Sequence, residues 1–69
     1  MERSPVTSSN VESVGYDEDS ETLEVEFTNG TLYQYFDVPQ GVYNGLVNAD
    51  SVGGYLARNI KGVYRYSRV

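Results

Sequence analysis

Residues 23–36 read LEVEFTNGTLYQYF, and this segment shapes the expected architecture more strongly than any other part of the chain. Its first five residues alternate between apolar and acidic side chains, as in a strand with one buried face. Asn29-Gly30 follows, and this pair favours a type I′ hairpin turn, which needs positive φ at both central residues. The sequence therefore predicts an antiparallel hairpin whose second strand is residues 31–36.

A two-residue loop also fixes the register of the hairpin, because a shift of one residue moves every side chain of a strand to the other face. In the expected register Val25 lies opposite Gln34. Tyr33 and Tyr35 then lie on the outer face of the sheet, among the carboxylates of the first strand. The core face is expected to hold Leu23, Val25, Phe27, Leu32 and Phe36.

The segments around the hairpin predict one further strand and two short helices. Residues 11–16 predict a strand that precedes the hairpin. Pro39 is preorganised for the first position of a helix. Asp50-Ser51 can cap a second helix, and Gly62 ends it.

We therefore expect an α+β fold, with a three-stranded antiparallel meander followed by two short α-helices and a C-terminal extended segment. Residues 63–68 form that last segment, which returns against the sheet or the helices. Residues 1–10 are polar and lack any period, which predicts a disordered arm. Residues 11–69 then make up a single domain.

The composition excludes several classes of chemistry. The 69 residues include no cysteine, so disulfides, thiol nucleophiles and cysteine-ligated metals are excluded. Histidine, the usual general base and the commonest metal ligand, is also absent. No stretch resembles a membrane span or a secretion signal, which predicts a cytoplasmic protein without a membrane partner.

The charges are distributed unevenly along the chain. Residues 12–50 contain nine carboxylates and no basic residue, whereas residues 51–69 contain four cations and no carboxylate. The basic segment also carries tyrosines, and cations with aromatic rings are the combination that holds single-stranded nucleic acid. The candidate nucleic-acid-binding residues are Arg58, Lys61, Tyr64, Arg65, Tyr66 and Arg68. The alternative is that these cations neutralise the acidic sheet while the tyrosines pack inward.

Several segments in this order resemble a known family. They are Val11-Glu12-Ser13-Val14-Gly15-Tyr16-Asp17, residues 23–27, Tyr33-Gln34-Tyr35-Phe36-Asp37-Val38-Pro39, Ser51-Val52-Gly53-Gly54-Tyr55 and Asn59-Ile60-Lys61-Gly62-Val63-Tyr64. Together they resemble the KTSC domain, which is named for its occurrence at the C-terminus of some lysyl-tRNA synthetases. Tyr33 and Tyr35 match the central Tyr-x-Tyr motif of the family. The resemblance implies a free-standing, translation-associated module, for which RNA binding is suggested by the synthetase fusion.

Two functional hypotheses follow. The first is a small non-catalytic module that binds RNA, either tRNA or a single strand. The second is a protein-interaction or homodimerisation module that uses the sheet edge together with Tyr33 and Tyr35. No catalytic residue, metal, cofactor or small-molecule substrate is expected. Glu24 and Glu26 share a strand face but have no cleft, and the serine hydroxyls have no base to activate them.

Overall fold

The computed structural model describes residues 3–69, which form an antiparallel sheet with two helices on one face. Each strand pairs with the next along the chain, so the spatial order of the strands equals their order in sequence. The strands are β1 (Arg3–Pro5), β2 (Val11–Asp17), β3 (Thr22–Phe27), β4 (Leu32–Tyr35) and β5 (Tyr66–Arg68), and the helices are α1 (Gln40–Val47) and α2 (Val52–Asn59). The α+β class is confirmed, but the sheet has five strands rather than three.

The hairpin between β3 and β4 has a three-residue loop, so the predicted register is wrong. The Phe27 amide donates to the Thr31 carbonyl at 2.9 Å, and the Gly30 amide donates to the Phe27 carbonyl at 2.9 Å. Gly30 has a φ of +89°, whereas Asn29 does not adopt positive φ. This is a type I turn followed by a left-handed glycine, and a type I′ turn would need positive φ at both residues.

The shift of one residue exchanges the two faces of β4. Val25 pairs with Tyr33 and Leu23 pairs with Tyr35. The tyrosines therefore face the helices, and Tyr35 is a core residue with 1% exposure. Leu32 and Phe36, which were expected in the core, lie half-buried on the outer face. The buried apolar residues are Val11, Val14, Leu23, Val25, Tyr35, Val38, Leu46, Val52, Leu56 and Ile60.

An ion-pair network on the outer face holds β1 against the sheet. The Arg3 guanidinium lies 3.5 Å from a Glu24 carboxylate oxygen and 3.8 Å from a Glu26 oxygen. Ser13 donates to Glu26 at 3.1 Å, and Gln34 donates to Glu24 at 3.0 Å. Residues 1–10 were expected to form a disordered arm, but the structure has a strand at Arg3–Pro5. Arg3 holds this strand in place by its ion pairs with Glu24 and Glu26 of β3. The prediction for residues 1–2 lies outside the described residues.

The C-terminal segment returns to the sheet and forms β5 beside β4. The Phe36 amide donates to the Arg65 carbonyl at 2.9 Å, and the Val69 amide donates to the Leu32 carbonyl at 2.8 Å. Residues 60–63 form a turn and residue 64 a bend, so this part of the predicted segment is not extended. The predicted extended segment is therefore correct in place but shorter, and it adds the fifth strand.

Both helices begin close to the predicted residues. Pro39 precedes α1 as its N-cap, and the Ser51 hydroxyl caps α2 by accepting a 3.0 Å hydrogen bond from the Gly54 amide. The ring of Tyr55 packs directly over Gly45, where an added Cβ would collide with it. Each helix spans eight residues, so within residues 3–69 neither is long enough to cross a membrane.

Candidate nucleic-acid interface

A line of aromatic rings crosses the helix-side face of the sheet from β3 to β5. The rings of Tyr33 and Tyr66 are stacked, with centroids 5.5 Å apart and planes 2° apart. Phe27 meets Tyr33 edge-on at 5.5 Å. Tyr35 lies beneath the stack, with its ring centroid 5.8 Å from that of Tyr66. The register of the hairpin causes this arrangement, because it places Tyr33 and Tyr35 on the face that Tyr66 shares.

The rings become more exposed toward the end of the sheet. Tyr35 is 1% exposed, Tyr33 is half-buried and Tyr66 is 60% exposed. Since β5 is the last strand of the sheet in residues 3–69, no further strand covers the side of Tyr66 that faces away from Tyr33. The half-buried ring of Tyr33 and the buried ring of Tyr35 thus hold the exposed ring of Tyr66 in a defined orientation.

Two cations accompany these rings. The Lys61 ammonium lies 5.2 Å from the centroid of Phe27, which is within the range of a cation–π interaction. Arg68 pairs directly with Tyr33 across β4 and β5, and it shares the sheet face of Tyr66. We call this surface the aromatic–basic edge, and we define it as Phe27, Tyr33, Lys61, Tyr66 and Arg68.

The remaining candidates lie elsewhere in the structure. Arg65 forms an exposed ion pair with Asp37 at 2.8 Å. Arg58 donates from Nε to the Gly54 carbonyl of its own helix at 3.3 Å. Tyr64 is half-buried and packs against the core. The structure therefore brings together three of the predicted residues, Lys61, Tyr66 and Arg68, and adds Phe27 and Tyr33.

The acidic residues of the β2–β3 turn lie at the opposite end of β3 from Phe27 and the hairpin tip. Tyr66 is in register with Leu23 at the turn end of that strand, two strands away from it. That turn, residues 17–21, precedes β3, whereas Phe27 ends the same strand. Five strand steps separate the two ends, or about 17 Å at roughly 3.3 Å per residue. This separation exceeds the Debye length of about 8 Å at physiological salt, so the acidic turn is largely screened from an anion at the other end.

A small cleft opens at the tip of the hairpin, next to the aromatic rings. Its volume is about 190 Å³, and its lining residues are Phe27, Asn29, Thr31, Tyr33 and Lys61. The sequence assigned Phe27 to the core and Asn29 to the turn, so neither was expected at a binding surface. A predicted three-residue loop would have indicated Phe27 and Asn29 as surface candidates, because it places Tyr33 beside Phe27 on the helix side of the sheet.

The comparisons with known proteins agree with the observed architecture. The model of the KTSC domain family matches residues 7–69. An uncharacterized protein of Stutzerimonas stutzeri is 43% identical over all of this chain and 99% of its own length. A KTSC domain protein of Yersinia pestis has a crystal structure that superposes with a TM-score of 0.93 at 36% identity, covering 99% of this chain and 96% of that protein. A lysine–tRNA ligase of a Nostoc species is 38% identical over 86% of this chain, which spans 10% of the ligase.

Two tyrosines have perturbed acidities. Burial raises the pKa of Tyr35, and the neighbouring phenols of Tyr33 and Tyr66 raise it further. Burial also raises the pKa of Tyr16, with smaller contributions from nearby carboxylates. The Tyr16 hydroxyl donates to the Val38 carbonyl at 2.6 Å, and its ring stacks on that of Tyr43. Tyr16 thus anchors the segment before α1, while Tyr35 supports the stack.

The raised pKa of Tyr35 predicts a loss of stability in alkali. A tyrosine becomes charged when it loses its proton, and burial disfavours the charged form. The folded state therefore holds the Tyr35 proton more tightly than the unfolded chain does. The contribution of Tyr35 to the free energy of unfolding is complete below pH 10.0 and falls as the pH rises toward the raised pKa. We expect Tyr35→Phe to make urea unfolding less dependent on pH above 10 than it is in the unsubstituted protein.

Tyr55→Phe is the control, because it removes a hydroxyl from a half-buried ring on α2. It shows what the loss of a phenol hydroxyl away from the Tyr33–Tyr66 stack does to urea unfolding, and the Tyr35→Phe profile is compared with it. Equal profiles for Tyr35→Phe and the unsubstituted protein would show that the Tyr35 hydroxyl does not resist ionisation in the fold.

Proposed function

Because the chain belongs to the KTSC domain family, and because of its surface, we propose that it is a small non-catalytic module that binds RNA. The aromatic–basic edge is the binding surface in this proposal. The observation that carries it is Tyr66, a 60% exposed ring stacked on Tyr33 at the end of the sheet. An aromatic ring held in this way offers a surface on which an unpaired base can stack.

The orientation of Tyr66 supports stacking without a large ordering cost. One face of its ring already packs on Tyr33, within 2° of parallel, so the ring need not be ordered when a ligand arrives. Stacking of a base on an aromatic side chain contributes roughly 1–3 kcal/mol and tolerates any base. The edge is therefore suited to single strands, because bases in a duplex are stacked on one another and do not reach the ring.

The nearby cations supply contacts to phosphates. Lys61 and Arg68 carry charge at the aromatic–basic edge, whereas Arg65 is already paired with Asp37. Two phosphate contacts on a single strand give a slope of about −1.4 when log affinity is plotted against log salt. Binding through this surface should thus be weak and sensitive to salt.

The relatives support RNA as the ligand class. Three lysine–tRNA ligases contain a segment that is 34–41% identical to this chain. Those enzymes act on tRNA, and the matching segment is a tenth of each ligase. In this proposal the domain supplies a tRNA or single-strand contact to a ligase when fused, and an independent contact when free-standing.

Substitutions at the aromatic–basic edge test the proposal. We expect Tyr66→Ala to weaken binding of a short single-stranded RNA at least about fivefold, and Tyr66→Phe to retain it, because stacking needs the ring and not the hydroxyl. Arg68→Ala should weaken binding and reduce the steepness of the salt dependence by about 0.7. Arg58→Ala is the matched control, since it removes the same charge from α2. The measurement is an amide NMR titration at 50 and 200 mM salt.

For the unsubstituted protein, the same titration should show about a sevenfold loss of affinity between the two salt concentrations. Shifts should centre on β4, β5 and Lys61. Equal losses in Arg58→Ala and Arg68→Ala, or no shifts at submillimolar RNA, would refute the proposal.

A second candidate function rests on the outer edge of β5, the last strand of the sheet within residues 3–69. The exposed large apolar residues include Val63 and Val69, each 62% exposed, together with Tyr66. The backbones of Arg65 and Val69 bond to Phe36 and Leu32, at the two ends of β4. Alternation therefore directs the backbone groups of Tyr66 and Arg68 away from the sheet. Two copies could pair there through antiparallel strands centred on Ser67, with Tyr66 opposite the partner's Arg68 and no like charges in register.

Edge pairing predicts a dimer that sedimentation can detect. Arg68→Pro should abolish self-association, because proline removes the amide that points to the partner and leaves the bonds to β4 intact. Arg68→Ala retains that amide and should still associate. A single monomeric species at millimolar concentration would contradict this second function.

A further inference from the structure

The cleft at the hairpin tip presents hydrogen-bond donors beside a cation. The Asn29 side-chain oxygen accepts from the Thr31 amide at 3.1 Å and from the Thr31 hydroxyl at 2.7 Å. These two bonds fix the orientation of the carboxamide, because a backbone amide can only donate. The exposed Nδ2 group of Asn29 is therefore the end left for a ligand, and it can only donate.

The charge of the cleft reinforces this bias. Lys61 supplies an ammonium, which has donors and no acceptor. Thr31 donates its hydroxyl proton to Asn29, so its oxygen is left only as an acceptor. The five lining residues include one cation and no carboxylate. A ligand that offers acceptors and carries negative charge best matches the Asn29 Nδ2 group and the Lys61 ammonium.

We infer that this cleft is a phosphate subsite of the RNA surface, with Asn29 and Lys61 as its ligands. The inference rests on the proposed function, and it assigns base stacking and phosphate binding to two different parts of the surface. Tyr33 connects the two parts, because it lines the cleft and also stacks with Tyr66. One nucleotide of a single strand stacks its base on Tyr66 while a phosphate of the same strand is bound at the hairpin tip.

A base is a poorer occupant of the cleft than a phosphate. Base edges carry amino and imino donors as well as acceptors, and Asn29 and Lys61 cannot accept from them. Phosphate oxygens accept in every direction and gain from the charge of Lys61. The subsite is therefore expected to bind any RNA sequence, as does the stacking position.

The decisive variant is Asn29→Asp. The two side chains have nearly the same shape, and a carboxylate still accepts from the Thr31 amide, so the loop is retained. The substitution replaces the Nδ2 donors with a negative oxygen. We expect affinity for a short single-stranded RNA to fall about tenfold or more, because a charge-assisted hydrogen bond is replaced by repulsion.

Asn44→Asp is the matched control, because it adds the same charge at an exposed position of α1. It should change affinity less than about twofold at 150 mM salt, where distant charges are screened. Lys61→Gln is a second variant of the subsite. It removes the ammonium and keeps most of the side chain over Phe27, so it should weaken binding as Asn29→Asp does.

A second probe separates the phosphate subsite from the stacking position. An abasic ribose–phosphate chain of the same length has phosphates but no bases. Its amide shifts at residues 27–31 should be lost in Asn29→Asp and retained in Tyr66→Ala. With RNA that carries bases, both variants should weaken binding.

The outcomes distinguish the subsite from the function on which it rests. Equal affinities of Asn29→Asp and Asn44→Asp, with a loss in Tyr66→Ala, would overturn the subsite and leave RNA binding in place. If Tyr66→Ala and Arg68→Ala also bind like the unsubstituted protein, or if that protein binds no RNA, both the subsite and the proposed function fail.

Discussion

The hydrogen bond from the Phe27 amide to the Thr31 carbonyl closes a loop of three residues, and the faces of β4 follow from that length. With three residues in the loop, Tyr33 and Tyr35 face the helices and Gln34 faces outward. With two residues, every one of these side chains would change faces. The core, the aromatic–basic edge and the outer polar network all depend on this difference.

The same register gives the tyrosines of β4 two roles, one in the small core and one at the proposed binding surface. Tyr35 fills the core beside Leu23 and Val25, as a domain of 69 residues requires of its large side chains. The ring of Tyr33 packs against the ring of Tyr35, and the solvent-exposed ring of Tyr66 stacks on Tyr33. A single set of tyrosines thus serves as packing at one end and as an oriented exposed surface at the other.

Local signals in the sequence located most of the elements. The hairpin, both helix starts and the strand at residues 11–16 follow from alternation, proline and serine caps, and these are confirmed. Strand β1 has three residues and depends on Arg3 meeting Glu24 and Glu26 in another strand. No local pattern encodes that contact. The loop length depended on the sign of φ at Asn29, since Asn-Gly suits both a type I′ turn and a type I turn with a left-handed glycine.

The candidate site could also be predicted only where local sequence patterns determine it. Alternation places Tyr66 and Arg68 on one side of the last strand, and composition draws attention to the cations. The pairing of Arg65 with Asp37 joins residues that are distant in sequence, and only the fold reveals it. Phe27 and Asn29 were missed because the predicted two-residue loop places Tyr33 on the opposite face of the sheet from Phe27.

The most direct test of the account is the pattern of Hα–Hα nuclear Overhauser effects across the hairpin. Because Phe27 and Thr31 are hydrogen-bonded, alternation makes Glu24 and Gln34 a non-hydrogen-bonded pair, with Cα atoms about 4.5 Å apart. The three-residue loop predicts strong effects between Glu24 and Gln34 and between Glu26 and Leu32. A strong effect between Val25 and Gln34 would contradict it and return the tyrosines to the outer face.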